Sequence, residues 1–150
     1  MIRKIILTIF VLTLSLAACA REKSDSLNWL ENLEEAQLLS EQTDKPIFVN
    51  FTGSDWCGWC IKLHDEVFSQ KEFIDYASEN LILLKLDFPR NIPQTDEIKA
   101  YNRDLAIKYE VQGFPTILLL DKNADEINRT GFQYGGAEKY VAHIKELLGK

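Results

Sequence analysis

The sequence predicts an α/β domain, a central mixed sheet of about four to five strands flanked by helices on both faces. Three observations predict it. Short apolar runs rich in strand formers, "IFVNF", "LILLKLDF" and "TILLLD", alternate with stretches of helical periodicity. Strands separated by helices imply parallel pairs joined by crossovers. The last two strands are joined by "KNAD", short enough for a hairpin and so for an antiparallel pair.

Each element follows from its residues. Residues 26–43, "SLNWLENLEEAQLLSEQT", read as a helix with Trp29, Leu33 and Ala36 on one stripe and Leu30 beside it. "DKP" stops it, since the residue before proline disfavours helical geometry. Ile47 to Phe51 is a short buried strand. "TGSD" is a turn with helix-capping residues. A helix begins near Cys57, with Cys60, Leu63 and Val67 on one face, and "QKEFIDYASEN" is a second helical stretch. Leu81 to Phe88 is another buried strand.

"PRNIPQTDE" is a loop with two prolines, and "DEIKAYNRDLAIKYEV" is helical, with Ile98, Tyr101, Leu105 and Tyr109 at helical spacing. "GFPTILLLD" turns into a strand and "EINRTGFQ" is a short strand near the edge. "GGAEKYVAHIKELLGK" is the last helix, apolar at Tyr140, Val141, Ile144, Leu147 and Leu148. The predicted order is α, β, α, α, β, α, β, β, α. A chain of 150 residues is one domain's worth, and no internal repeat or second domain is visible.

The first residues stand apart from this pattern. Arg3 and Lys4 precede an apolar run from Ile5 to Ala18, too short for the roughly 20 residues that span a bilayer as a helix. It reads as the core of a secretory signal over residues 1–18. It ends in "LAAC", Leu16 to Cys19, which resembles the lipobox of bacterial lipoproteins. That resemblance implies cleavage before Cys19 and a lipid on its sulfur. Residues 19–26 are then a polar tether, and 27–150 the folded domain. The expected location is a bacterial membrane surface, facing the periplasm or the cell exterior. A plain signal peptide with a chance cysteine, or a short membrane anchor, is the alternative.

The net charge is −6, so no basic face is expected and nucleic acid is not an expected partner. The chain has three cysteines, and with Cys19 set aside Cys57 and Cys60 remain as a pair in "SDWCGWC". Exported compartments permit disulfides. A structural staple across so short a loop constrains the unfolded chain very little, because that gain grows with loop length. A redox pair and a soft-metal site using Cys57, Cys60 and His64 stay open. A c-type haem is excluded, because Ile61 stands where histidine is needed.

A strand, then Cys-x-x-Cys opening a helix, then Gly-Phe-Pro-Thr leading into a later strand resembles the thioredoxin-like superfamily. The residues are "FVNFTGSDWCGWCIKL" and "VQGFPTILLLD", and the likeness spans about residues 27–149. With the lipobox, the chain resembles an exported bacterial thioredoxin-family lipoprotein. The implied activity is thiol–disulfide exchange with exported proteins, as reductant or interchange protein, without a cofactor or metal. The implied partners are exported protein thiols and disulfides and an upstream thiol carrier, with the domain acting as a monomer. The alternatives are a metal-handling protein and a non-catalytic binding module of the same fold.

The chemistry suits the residue types. Exchange needs a thiolate, and a cysteine at a helix N-terminus lies near unsatisfied N–H groups and the positive dipole end. In Cys-x-x-Cys motifs this lowers the thiol pKa from about 8.5 to a range of roughly 3.5 to 7.5. Cys57 is that first cysteine, and Cys60 lies three residues on, close to one turn away. The resemblance implies an exposed, attacking Cys57 and a buried, resolving Cys60. It implies a cis bond before Pro115, with Phe114 offering its backbone to an extended substrate. Trp56, Gly58 and Trp59 complete the expected substrate contacts, with Trp56 largely packed and Trp59 more exposed.

Two departures from the family stand out. Asn50 occupies the position of the usual buried aspartate, once one extra residue is allowed in "TGSD", and asparagine cannot take up a proton. Lys85 matches the lysine that pairs with that aspartate, and Asp87 shares its face. Asn50 and Lys85 are therefore expected to form the proton-transfer environment. The stretch 89–104 is longer than the usual connection and reads as an idle loop, with an added substrate surface as the alternative.

Overall fold

The computed structural model describes residues 27–150. The expected signal, tether and lipid-bearing Cys19 lie outside the described residues. Ten elements follow in order: β1 (Trp29–Leu30), α1 (Leu33–Thr43), β2 (Ile47–Thr52), α2 (Gly58–Leu63), α3 (Lys71–Asn80), β3 (Ile82–Asp87), α4 (Asp96–Lys108), β4 (Thr116–Leu120), β5 (Glu126–Thr130) and α5 (Gly136–Leu147). A turn of π-helix, His64–Phe68, continues α2.

The five strands form one mixed sheet in the order β1-β3-β2-β4-β5. β2 lies at its centre with every residue buried, as its unbroken apolar character requires. It pairs in parallel with β3 and antiparallel with β4. The sheet is covered on both sides. Leu63, Val67, Phe73, Tyr140 and Ile144 cover one face, meeting Phe48, Leu83, Ile117 and Leu119. Leu33, Ala36, Leu105 and Tyr109 cover the other, meeting Val49, Phe51, Leu84, Leu86 and Leu118. The alternation of faces along each strand puts Asn50 and Lys85 on the side of α2.

Three expectations are corrected. The helix read from residue 26 begins only at Leu33, where the Asn32 side chain accepts the Glu35 N–H at 2.8 Å as an N-cap. Trp29 and Leu30 form a strand instead, paired with Leu83 and Leu84. Their side chains then go to opposite faces, Trp29 to Phe48 and Phe68 and Leu30 to the core beneath α1. β4 follows a helix, yet it runs antiparallel to its neighbour β2 rather than parallel to a preceding strand. Ile98, expected on the apolar face of α4, is 40% exposed, whereas Leu105, about two turns further along, is buried.

β5 is the exposed edge expected of "EINRTGFQ", and its charged and amide side chains suit an unpaired margin. The β4–β5 pair is antiparallel, as the short connection predicts. At the far end of β3, buried Asn102 donates its side-chain amide to the Asp87 carbonyl at 2.8 Å. This ties α4 to the strand end from which the site is built.

Candidate active site

The site forms where β2 ends and α2 begins. Gly53 starts the turn. A Cβ there would lie 2.5 Å from the Trp56 indole, so only glycine lets that ring fold back over the main chain. Cys57 is the N-cap of α2, and its Sγ accepts the Cys60 N–H at 3.2 Å. The two cysteines are joined as a disulfide, with Cα atoms 5.2 Å apart. The expected exposure of Cys57 is corrected: it is 7% exposed and Cys60 5%, both buried. The Cys57 sulfur meets the Cys60 N–H and its partner sulfur.

The peptide bond between Phe114 and Pro115 is cis, as the resemblance implies. Phe114 stacks on Phe88 with ring centroids 4.9 Å apart, and meets the Trp56 ring edge at 6.1 Å. The cis-proline corner and the cysteine turn are therefore joined through aromatic contacts. Trp59 is more exposed than Trp56, at 50% against 36%. Most of the Trp56 surface is covered. Its Nε1 donates to the Phe88 carbonyl at 2.7 Å, Phe114 meets the ring, and the indole folds back over Gly53. Gly58 is exposed, with open space where a side chain would be.

Asn50 is buried, and its Oδ1 has no hydrogen-bond partner among the described residues. It lies directly across from Lys85 in the parallel β2–β3 register. Asp87 is held elsewhere: its carboxylate accepts from the Ser54 N–H at 3.0 Å and the Ser54 hydroxyl at 2.6 Å.

Several residues of the site escaped the sequence reading. The Asp55 carboxylate accepts the main-chain N–H groups of Arg90, Asn91 and Ile92 at 2.9, 2.6 and 3.2 Å. The Arg90 N–H above all holds the Asp55 carboxyl below its ordinary range. The loop after β3, read as idle, is thus fastened to the residue two positions before Cys57. On the other flank Trp59 packs against Phe132 at 5.1 Å and Tyr134 at 6.1 Å, with the Lys62 ammonium over all three rings. The only signal for these partners was their composition, aromatic and charged residues in turns.

A soft-metal site at Cys57, Cys60 and His64 finds no support in the geometry. The sulfurs are bonded to each other and His64 is exposed on the π turn. Among the described residues no group of three or more His, Cys, Asp or Glu side chains is placed to hold an ion.

The pattern of a thioredoxin-like domain matches residues 33–147. The disulfide bond reductase DsbH of Chlamydia pneumoniae is 39% identical over 123 residues, covering 82% of this chain and 74% of that protein. The thioredoxin-related protein DsbJ of the same organism is 32% identical over 95% of this chain, which spans only 44% of DsbJ. A solved structure described as DsbH oxidoreductase superposes with a TM-score of 0.78 at 38% identity, over 83% of this chain and 85% of that one. The chain belongs to the thioredoxin-like domain family and is a thiol–disulfide oxidoreductase carrying its redox disulfide at Cys57 and Cys60.

Proposed function

We propose that this protein reduces or interchanges disulfides of exported proteins, from a lipid anchor at Cys19 on a bacterial membrane surface. The observation that carries the reading is the Cys57 sulfur at the start of α2, accepting the Cys60 N–H at 3.2 Å. The same donor and the positive helix end stabilise a thiolate when the pair is reduced. The name of the DsbH relative, a disulfide bond reductase, supports the reducing direction.

In the reducing direction the Cys57 thiolate attacks one sulfur of a substrate disulfide. A mixed disulfide forms as the substrate S–S bond breaks, and the departing thiolate takes a proton from water. Cys60 gives its proton to the hydroxide left by that transfer, and its thiolate attacks the Cys57 sulfur. The Cys57–Cys60 disulfide forms, the mixed disulfide breaks, and the second substrate thiolate leaves and is protonated. The substrate gains two electrons and two protons, and an upstream thiol carrier reduces the pair again by the same exchange. Trp56, Gly58, Trp59 and the Phe114–Pro115 corner contact the substrate, and the domain works as a monomer.

An insulin-reduction assay with dithiothreitol tests the role of Cys57. Cys57→Ser abolishes the protein-dependent rate, and a surviving rate overturns the assignment. A reduction potential near thioredoxin's roughly −270 mV supports the reducing direction, and one near about −120 mV supports the opposite. Incorporation of labelled palmitate in cells, lost in Cys19→Ala, tests the anchor.

A further inference from the structure

The exchange chemistry leaves one well-built feature unused. The loop from Asp87 to Ile92 is bound to the three residues before Cys57: Ser54 to the Asp87 carboxylate, Asp55 to three loop N–H groups, and the Trp56 indole N–H to the Phe88 carbonyl. The Phe88 N–H in turn donates to the Thr52 carbonyl at 2.8 Å. The main chain at Arg90 is therefore held on both sides. Its side chain leaves this fixed point and lays its guanidinium 3.9 Å from the centroid of the ring of Trp56, the residue that precedes Cys57.

Arg90 is exposed, and it is in no ion pair among the described residues. The Asp55 carboxylate is taken up by loop N–H groups rather than by the guanidinium. The cation on the opposite flank, Lys62, is already paired with Glu66 at 3.7 Å. In a chain of net charge −6, Arg90 is thus a cation without an ion pair among the described residues, held over the tryptophan that precedes Cys57. A guanidinium with one face on an indole still presents its edge of N–H donors, which matches a carboxylate bidentately. Because the stack holds the group in place beforehand, little freedom remains to be lost on binding.

We propose that Arg90 is a specificity-determining residue that selects disulfide substrates bearing an aspartate or glutamate beside the reacting cysteine. The assignment rests on the exchange reading above and adds to it the chemistry of the substrate. Asp55 acts as a positioning residue, through the loop it holds.

Three synthetic disulfide peptides, identical except for Glu, Gln or Lys on both sides of the cysteine, test it against the reduced full chain. The second-order exchange rate for the Glu peptide exceeds that for the Lys peptide by about five-fold at low salt, the scale of an exposed ion pair. The ratio narrows in about 0.5 M salt, where exposed charges are screened. It falls to near one in Arg90→Gln and is only partly kept in Arg90→Lys, which retains the charge without the fork. A ratio near one in the unaltered protein, or a ratio unchanged in Arg90→Gln, overturns the assignment. The Gln peptide separates the two readings. If it reacts at an ordinary rate while no Glu preference exists, only the role of Arg90 falls. If it does not react, the exchange reading falls and takes the selection with it.

Discussion

Asn50 and Lys85 stand opposite each other in the β2–β3 register, on the sheet face that α2 covers. The Asn50 side-chain oxygen is buried there without a partner among the described residues. An orphaned buried acceptor costs about 1–3 kcal/mol, so a protein selected for stability alone would not keep it. Asn50→Val, close in volume and apolar, should raise the urea midpoint of the oxidised protein and slow its disulfide exchange. A gain in stability with an unchanged exchange rate would leave Asn50 no part in the chemistry.

The order of attack can be trapped. With Cys60→Ser, the Cys57 thiolate should still open a substrate disulfide but the mixed disulfide should persist. Non-reducing electrophoresis with a disulfide peptide should show a stable adduct for Cys60→Ser and none for Cys57→Ser. The reverse pattern would exchange the two roles.

Gly53 allows the Trp56 indole to lie within what would be van der Waals contact of its Cβ. Gly53→Ala should push the ring away and break its bond to the Phe88 carbonyl. The cost is that of overpacking, about 1–3 kcal/mol. Loss of stability in urea together with a shift in tryptophan fluorescence should report it, and an unshifted spectrum would contradict the crowding.

Alkaline stability follows from two tyrosines. Burial, chiefly, pushes Tyr101 and Tyr109 from the ordinary 10 up to about 12. Tyr101 OH accepts the Leu33 N–H at 2.6 Å and donates to Glu34 at 2.8 Å, while Tyr109 OH donates to the Ala124 carbonyl at 2.9 Å. A folded pKa above the unfolded one means the native state holds the proton longer. The stabilisation is complete below pH 10 and is lost as pH rises towards about 12. Tyrosinate absorbance should therefore rise together with unfolding in that window. Tyr101→Phe and Tyr109→Phe should each flatten the pH dependence there, at a lower starting stability.

The sequence by itself determined the elements whose signal is local. A run such as "IFVNF" is a buried strand wherever it is put, because its apolar residues must find cover, and the leucines of "LILLKLDF" make it one likewise. The Cys57–Cys60 spacing at a helix start and the proline of "GFPT" were legible for the same reason: the chemistry needs those residue types within a few positions.

Only the tertiary structure decided what depends on partners distant in the chain. Trp29 and Leu30 became a strand because Leu83 and Leu84 offered a free edge, not because two residues announce one. β4 turned antiparallel because its place beside β2 is set by packing, which no connecting helix encodes. The anchoring of the Trp56 indole and the stack of Arg90 upon it follow from a loop more than 30 positions away closing on Asp55 and Trp56. Periodicity is a property of neighbours in sequence, whereas these contacts are bonds between segments that meet only when the sheet has formed.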